Sequence, residues 1–575
     1  MSEVDAPEVT TPVVPGDDVA APALSVRERD VVDAETAASE QVVARLEAAP
    51  VQVVTSPAGG TASGTAQGVG RSRTVTLEGV RGHVVEVEAD VGAGLPRTVL
   101  VGLPDTAVNE SRDRVRAAVD NSGLTWPQSR LTVSMSPAWV RKRGSALDLA
   151  VACAVLAALG QVPQEALLGR VLLGELGLDG AVRPVRGVLP MAIEAVRHDV
   201  RTLVVAEANA AEAALVPDLT VVAVRSLRQL VAVLRGQEPA DVVRPPALDE
   251  SVDLGPDLSD VVGQEDARRA LEVAAAGGHH LLLHGAPGTG KTLLAQRLPG
   301  LLPSLTAEQA MEVTAVHSVA GMLRPEAPMV RRPPFQAPHH TATAPSIVGG
   351  GGGVPRPGAV SLAHCGVLFL DEAPEFPARV LETLRQPLES GEVVIARAEA
   401  VVRYPAAFQL VLAANPCPCG LSHGRGLQCS CTPLQKMRYA SRLSGPLLDR
   451  IDLRVEVPPL TREELVEGHG GEPSAAVRER VLAARDRCAR RMGGTPWRTN
   501  ADVPGRELRG DLRPHADGLR LVLEQVSRGR LSARGVDRVL RVAWTLADLT
   551  GVDRPGPAEV AGALRLRSGV GRWAA

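Results

Sequence analysis

The chain has 575 residues, 45% of them hydrophobic, which is enough for several packed cores and suggests roughly three or four domains. A net charge of −4 and a pI near 6.3 exclude a globally basic nucleic-acid binder, so contact with DNA has to come from locally placed arginines. With 2% aromatic residues the stacking platforms of many single-strand binders are absent, and the longest apolar run, Leu149 to Leu159, is too short to span a bilayer.

Residues 1–72 are rich in Ala, Val, Pro, Glu, Gly, Ser and Thr without a period of 2 or 3.6, and read as a disordered, acidic, Ala/Pro-rich tail. The tail starts acidic and lacks the basic and apolar regions of a signal peptide. Seven cysteines, with Cys153, Cys365 and Cys488 isolated, fit a reduced, cytoplasmic protein rather than a disulfide framework. From Arg73 short alternating strands appear (Val75, Leu77; Val84, Val85, Val87; Val99, Val101), followed by a helix over 106–121 and a strand at Leu131-Thr132-Val133. A buried helix over 145–159, strands at Val171–Leu173 and Leu203–Val205 and a helix at 188–197 complete an α/β domain spanning 73–235. Residues 236–257, rich in Pro and acids, read as a linker.

The next domain, 258–458, carries the chemistry. The apolar run Leu281-Leu282-Leu283 precedes Gly285, Ala286, Pro287, Gly288, Thr289, Gly290, Lys291 and Thr292, the spacing G-x-x-x-x-G-K-[ST] on a strand-to-helix turn. Such a loop closes backbone N–H groups around a β-phosphate of ATP, extends its lysine to the β and γ phosphates and offers its threonine hydroxyl to Mg²⁺. Of 62 basic residues only Lys142, Lys291 and Lys436 are lysine, so this one stands out against arginine. A second strand, Gly366 to Leu370, ends in Asp371-Glu372, where Asp371 would hold Mg²⁺ through water and Glu372 would deprotonate the attacking water. A third, Gln409 to Ala414, ends at Asn415, whose polar side chain can position the same water. Directly after it, Cys417, Cys419, Cys429 and Cys431 form a C-x-C, nine-residue spacer, C-x-C array. Four thiolates suit tetrahedral Zn²⁺, given a turn at Pro418 and with His423 as a substitute ligand; an unmetallated loop or a redox pair are the alternatives. A glycine-rich loop, Gly349 to Gly353, and a hairpin over Gly391 to Tyr404 precede the Asn415 strand, and Pro446 to Leu453 sets Arg450 between a helix and an alternating strand. Residues 459–575 read as a helical lid, with helices over 462–467, 474–491, 514–528, 531–548 and 556–567.

Taken with Val101 to Arg116, Gln336-Ala337-Pro338-His339-His340, Pro357-Gly358 followed by Ser361 to His364, Ser444 to Arg450, and Ser532-Ala533-Arg534 followed by Val539 to Ala543, this chain resembles the Mg-chelatase-like AAA+ proteins of the ComM/YifB type over residues 73–575. The resemblance implies a Lon-protease/ribosomal-S5-like (ChlI-like) N-terminal domain before an AAA+ P-loop core and lid. It also implies that Asn415 is sensor 1, Arg534 is sensor 2, and Arg450 reaches the γ-phosphate of a neighbouring subunit in a homo-hexamer. Insert 336–358 and hairpin 391–404 would face a central pore, with Arg397 and Arg403 as DNA-backbone contacts. The implied activity is ATP-driven movement on single-stranded or branched DNA, as in branch migration, with a chelatase-type or unfoldase-type remodelling subunit as the alternative. A Lon-type Ser-Lys dyad would need a partner for Ser145, and Leu189 stands where that lysine would fall, so no peptidase activity is expected. The segment Trp139 to Gly144 is bulkier and more basic than in relatives, which leaves a protein partner for the first domain open.

Overall fold

A computed structural model describes residues 68–244, 255–351, 355–397, 400–422, 428–467 and 470–568. All of these lie in one compact unit, Gly64–Ala575. The tail reading, up to residue 67, falls outside the described residues, as do 245–254 of the linker, Gly352 and Gly353 of the glycine-rich loop, and His423.

The first sheet contains β1 (Gly70–Glu78), β2 (Arg81–Gly92), β3 (Arg97–Val101) and β4 (Arg130–Ser136) in the order β1-β2-β4-β3, with β3 and β4 parallel. Period-2 alternation puts Val85, Val87, Ala89, Leu131, Val133 and Met135 on one face, where they pack with helices α1 (Thr106–Asn121) and α2 (Asp148–Ala158). The tail is shorter than its composition implies, since β1 begins at Gly70 rather than Arg73, with Gly70, Arg71 and Ser72 paired to Ala89, Glu88 and Val87. Tertiary contact explains this: Ser72 Oγ donates to Ala150 O (2.8 Å), and a Cβ at Gly70 would fall 2.0 Å from Ala154 O.

A second sheet holds β5 (Arg170–Leu173), β6 (Thr202–Ala206), β7 (Thr220–Val224) and β8 (Asp241–Val243) in sequence order. Strand β8 corrects the linker reading, because Val242 and Val243 pair antiparallel with Val222 and Val221 on an open sheet edge. Helix α3 (Val188–Arg197) covers this sheet with Leu189, Met191 and Ala192.

The central parallel sheet is built from β9 (Leu281–His284), β10 (Phe335–Gln336), β11 (Val367–Leu370), β14 (Gln409–Ala414) and β15 (Leu453–Glu456) in the order β10-β11-β14-β9-β15. The intervening β12 (Glu392–Arg397) and β13 (Ala400–Pro405) form a separate antiparallel hairpin. Strands β9, β11 and β14 are buried throughout, which is why they read as continuous apolar runs. Because β9 lies between β14 and β15, the loop leaving it opens at the point where strand order reverses, the usual ligand crevice of an open α/β sheet.

Helices α4 (Glu265–Gly277), α5 (Lys291–Leu301) and α6 (Ala307–Ala320) belong to the same layer system; α7 (Ala344–Val348) follows in the insert, and α8 (Pro433–Ala440) precedes β15. The C-terminal helices α9 (Ser474–Arg491), α10 (Ala516–Ser527), α11 (Ala533–Thr550) and α12 (Pro557–Ser568) share one apolar core with α4, α5 and the sheet. A buried polar knot crosses that junction. Asp452, preceding β15, accepts from Arg538 (3.0 Å) and pairs with His279 Nδ1 (3.0 Å), whose Nε2 meets Thr545 Oγ1 at 2.7 Å. The first region docks on the core through Glu212, whose carboxylate takes the Ser318 hydroxyl of α6 and the Leu189 N–H, and through the β1–β2 turn, where Gly79 abuts Val402 of β13.

Candidate nucleotide site and cysteine knuckle

At the end of β9 the Gly285 N–H donates to Ala414 O (3.1 Å), and a Cβ there would stand 2.3 Å from Val457 O. Gly288 and Gly290 take φ of +78° and +91°, values that side-chain-bearing residues rarely adopt, and the loop then enters α5. Lys291 is buried at the first turn of α5, and its Nζ donates to Gly285 O (2.8 Å), Ala286 O (2.7 Å) and Asn415 Oδ1 (3.1 Å). Burial lowers its pKa, against the opposing field of Asp371 and Glu372. The ammonium thus sits folded back on its own loop, within a side-chain rotation of where phosphate oxygens would lie.

The neighbouring Thr292 Oγ1 donates to Asp371 Oδ2 at 2.6 Å, so the hydroxyl in the first turn of α5 and the carboxylate at the end of β11, both expected to hold Mg²⁺, face each other. This oxygen pair fits the ion, which when bound would neutralise phosphate charge. Glu372 adopts the left-handed conformation (φ +50°), with its N–H donating to Asp371 Oδ1 (2.9 Å). Positive φ on a non-glycine residue is costly, and here it aims two successive carboxylates in different directions. His340 Nδ1 stands 3.4 Å from Glu372 Oε2. The Gln336–His340 motif was legible in the sequence; its contact with Glu372 was not.

The structure therefore brings Lys291, Thr292, Asp371, Glu372 and Asn415 together. Arg450 lies elsewhere: its NH1 donates to Pro446 O (2.6 Å), and it pairs with Glu389 rather than with the adjacent Asp449 or Asp452. Arg534, three-quarters exposed, reaches Asp449 at 3.8 Å, next to Arg450. Burial, and then the positive fields of Arg385, Arg534 and Arg538, lowers the Arg450 pKa. Each of these guanidinium groups is paired with a carboxylate: Arg385 with Glu382, Arg450 with Glu389, Arg534 with Asp449 and Arg538 with Asp452. Arg403 pairs with Glu392 across the hairpin (2.6 Å). Arg397 sits beside the glycine-rich loop, within 3.3 Å of where a Cβ at Gly350 would be, and Tyr404 Oη donates to Pro355 O (2.7 Å), so hairpin and insert form one body. Ser145 Oγ donates to Glu175, and Leu189 is buried in α3.

Beyond Asn415 the four sulfurs converge: Cys417 and Cys419 lie 3.3 Å apart, each lies 3.7 Å from Cys429, and all four, Cys431 included, lie within 4.8 Å of one another. Four cysteine sulfurs at this separation match the donor set of a tetrahedral zinc ion. The Leu421 N–H lowers the Cys419 thiol to about 6, while burial pushes Cys417 up to about 12.

A phosphate-binding loop, an acidic pair and a polar strand end on a parallel sheet of this order, capped by a helical lid, define an AAA+-type nucleoside triphosphatase. Residues 257–465 match the family "Magnesium chelatase, subunit ChlI", residues 87–209 "Subunit ChlI of Mg-chelatase" and residues 471–567 its C-terminal domain. The chain is similar to an uncharacterized protein of Mycobacterium tuberculosis (52% identical over 499 residues, 87% of this chain and 98% of that protein). It is likewise similar to competence protein ComM of Haemophilus influenzae (42% over 497 residues, 85% and 96%) and to the uncharacterized protein YifB of Escherichia coli (42% over 476 residues, 82% and 91%). The chain belongs to the Mg-chelatase-like AAA+ family of the ComM/YifB type. Among the described residues no helix is long and apolar enough to cross a membrane.

Proposed function

We propose that the protein is a cytoplasmic, homo-hexameric ATPase motor that acts on single-stranded or branched DNA. The observation that carries the ATPase step is the convergence of Lys291, Asn415, Thr292, Asp371 and Glu372 on one loop. In this reading Lys291 leaves its carbonyl partners for the β and γ phosphates. Thr292 and Asp371 hold the Mg²⁺, Asn415 holds the attacking water, and Glu372 accepts its proton.

Arg450 lies apart from the loop of its own subunit's phosphate site, among Arg385, Arg534 and Arg538, and so serves the nucleotide of the next subunit; Arg534 beside it acts on that same neighbour. A ring is the simplest assembly that gives every site a neighbour. The four cysteines take a structural zinc ion.

Two observations support DNA as the substrate: Arg397 of the hairpin stands against Gly350 of the glycine-rich loop, and a relative 42% identical is named a competence protein. An S5-like domain over 70–243 precedes the core at 258–458 and the lid at 459–575. A second reading, remodelling of a protein partner, is favoured by exposed Val101, Leu103 and Trp139 on adjoining segments, where Lys142 N–H donates to Leu103 O (3.2 Å).

The test is steady-state ATP hydrolysis without DNA and with single-stranded, duplex and four-way-junction DNA at two salt concentrations. Junction or single-strand stimulation that weakens with salt is expected. No response to any DNA would overturn the DNA reading in favour of protein remodelling.

A further inference from the structure

We infer that the cysteine knuckle is a strut for the phosphate loop, so that the metal it holds is a requirement for tight nucleotide binding. The inference rests on the two readings above, zinc at Cys417, Cys419, Cys429 and Cys431 and nucleotide at residues 285–292.

The knuckle is continuous with the site. Asn415, which accepts from Lys291, is separated from the buried Cys417 by one residue, Pro416. Zinc–sulfur bonds of about 2.3 Å place tetrahedral ligands about 3.8 Å apart, close to the 3.3, 3.7 and 3.7 Å separations here. A disulfide needs sulfurs about 2.05 Å apart, and all four cysteines are free.

Charge is partly offset as well. Four thiolates on Zn²⁺ leave a net charge of −2, and Lys436, one of the three lysines in the chain, projects from α8 to donate to Ser422 Oγ (2.7 Å) beside the knuckle. Helix α8 is anchored at its start by a reciprocal cap between Thr432 and Gln435.

The strut itself is Gly420. It takes φ +76°, and a Cβ built there would lie 2.4 Å from Pro287 Cγ and 2.5 Å from Cδ. The backbone of the knuckle therefore rests directly on the proline ring of the phosphate loop, with no room for a methyl group. A metal that fixes the Cys417–Cys419 turn fixes both this wall and the Asn415 side-chain amide oxygen that steadies Lys291. Without the metal, a short C-x-C turn has only its own hydrogen bonds to hold that position.

The experiment uses the full chain with two readouts, zinc per chain by mass spectrometry and the Kd of a fluorescent ADP analogue. Wild type is expected to carry about one zinc per chain. Cys431→Ser is expected to lose it and to raise Kd about tenfold, the equivalent of one weakened charged hydrogen bond. Gly420→Ala keeps all four sulfurs, so it is expected to retain zinc yet raise Kd, and Pro287→Ala in the same chain to restore part of the loss by removing the clash. Wild type without zinc would overturn the metal reading and the strut together. Zinc present, but with unchanged Kd in both Cys431→Ser and Gly420→Ala, would overturn the strut alone. Zinc present with no nucleotide binding by wild type would overturn the phosphate-loop reading, and the strut with it. Should Cys431→Ser fail to fold, the Gly420→Ala and Pro287→Ala pair still decides.

Discussion

Asp452→Asn tests how the lid is held to the nucleotide-binding sheet. Asp452 is fully buried, accepts from Arg538 at 3.0 Å and from His279 at 3.0 Å, and sits at the entrance to β15, directly beside the strand that carries the phosphate loop. The positive groups around it hold its carboxyl well below the usual carboxylate range despite burial. Replacing the carboxylate by an amide of the same shape removes the counter-charge of Arg538 and leaves His279 facing an amide. Breaking a buried pair costs about 3–5 kcal/mol, and because Arg538 keeps a fifth of its surface exposed the lower figure applies, about 3 kcal/mol. For a unit of this size that corresponds to a Tm lower by about 3 °C. The pH dependence follows from the depressed pKa. The stabilisation is fully present above the unfolded-state value of about 4 and is lost as pH falls below it toward the folded value, so wild type and variant should converge in acid. Thermal melts at pH 7 and below pH 4, with nucleotide binding measured at 25 °C, check this. A variant within 0.5 kcal/mol of wild type at neutral pH would refute the argument that this knot holds the lid.

Lys291→Ala removes two charged phosphate contacts of about 1.5–3 kcal/mol each, so nucleotide Kd should rise about 10²- to 10⁴-fold in equilibrium titration; near-normal affinity would contradict the loop assignment. Glu372→Gln should bind ATP yet lose about 10²- to 10⁴-fold in turnover, and normal hydrolysis would show that the base is another group. Arg450→Ala should bind nucleotide with turnover lower by about 10³-fold or more, and mixing it with Lys291→Ala subunits should restore part of the activity through composite sites. Full activity of Arg450→Ala alone would place the finger elsewhere.

The local backbone geometry was readable from residue order because each motif is a short run whose conformation is set by its own residues. The glycines of 285–290 announce a loop that needs φ > 0, the apolar runs before Gly285, Asp371 and Asn415 announce buried parallel strands, and the paired C-x-C array announces a metal-type bite. Helices after residue 458 were equally plain from their periodicity. Boundaries were less so. Gly70–Ser72 carry no apolar alternation and join β1 only because α2 lies against them, and residues 241–243 look like linker until the open edge of β7 supplies a partner.

Contacts between distant segments were decided by the tertiary structure alone. Arg450 rests on Glu389, 61 residues away; His340 reaches Glu372 from the insert; Gly420 of the knuckle presses on Pro287; and Glu212 of the first region takes the hydroxyl of Ser318. Residue order specifies which backbone conformations and donor sets are available. Which side chain faces which across a layer depends on how sheets and helices stack, and that is set by the burial of whole apolar faces, a property no single motif contains.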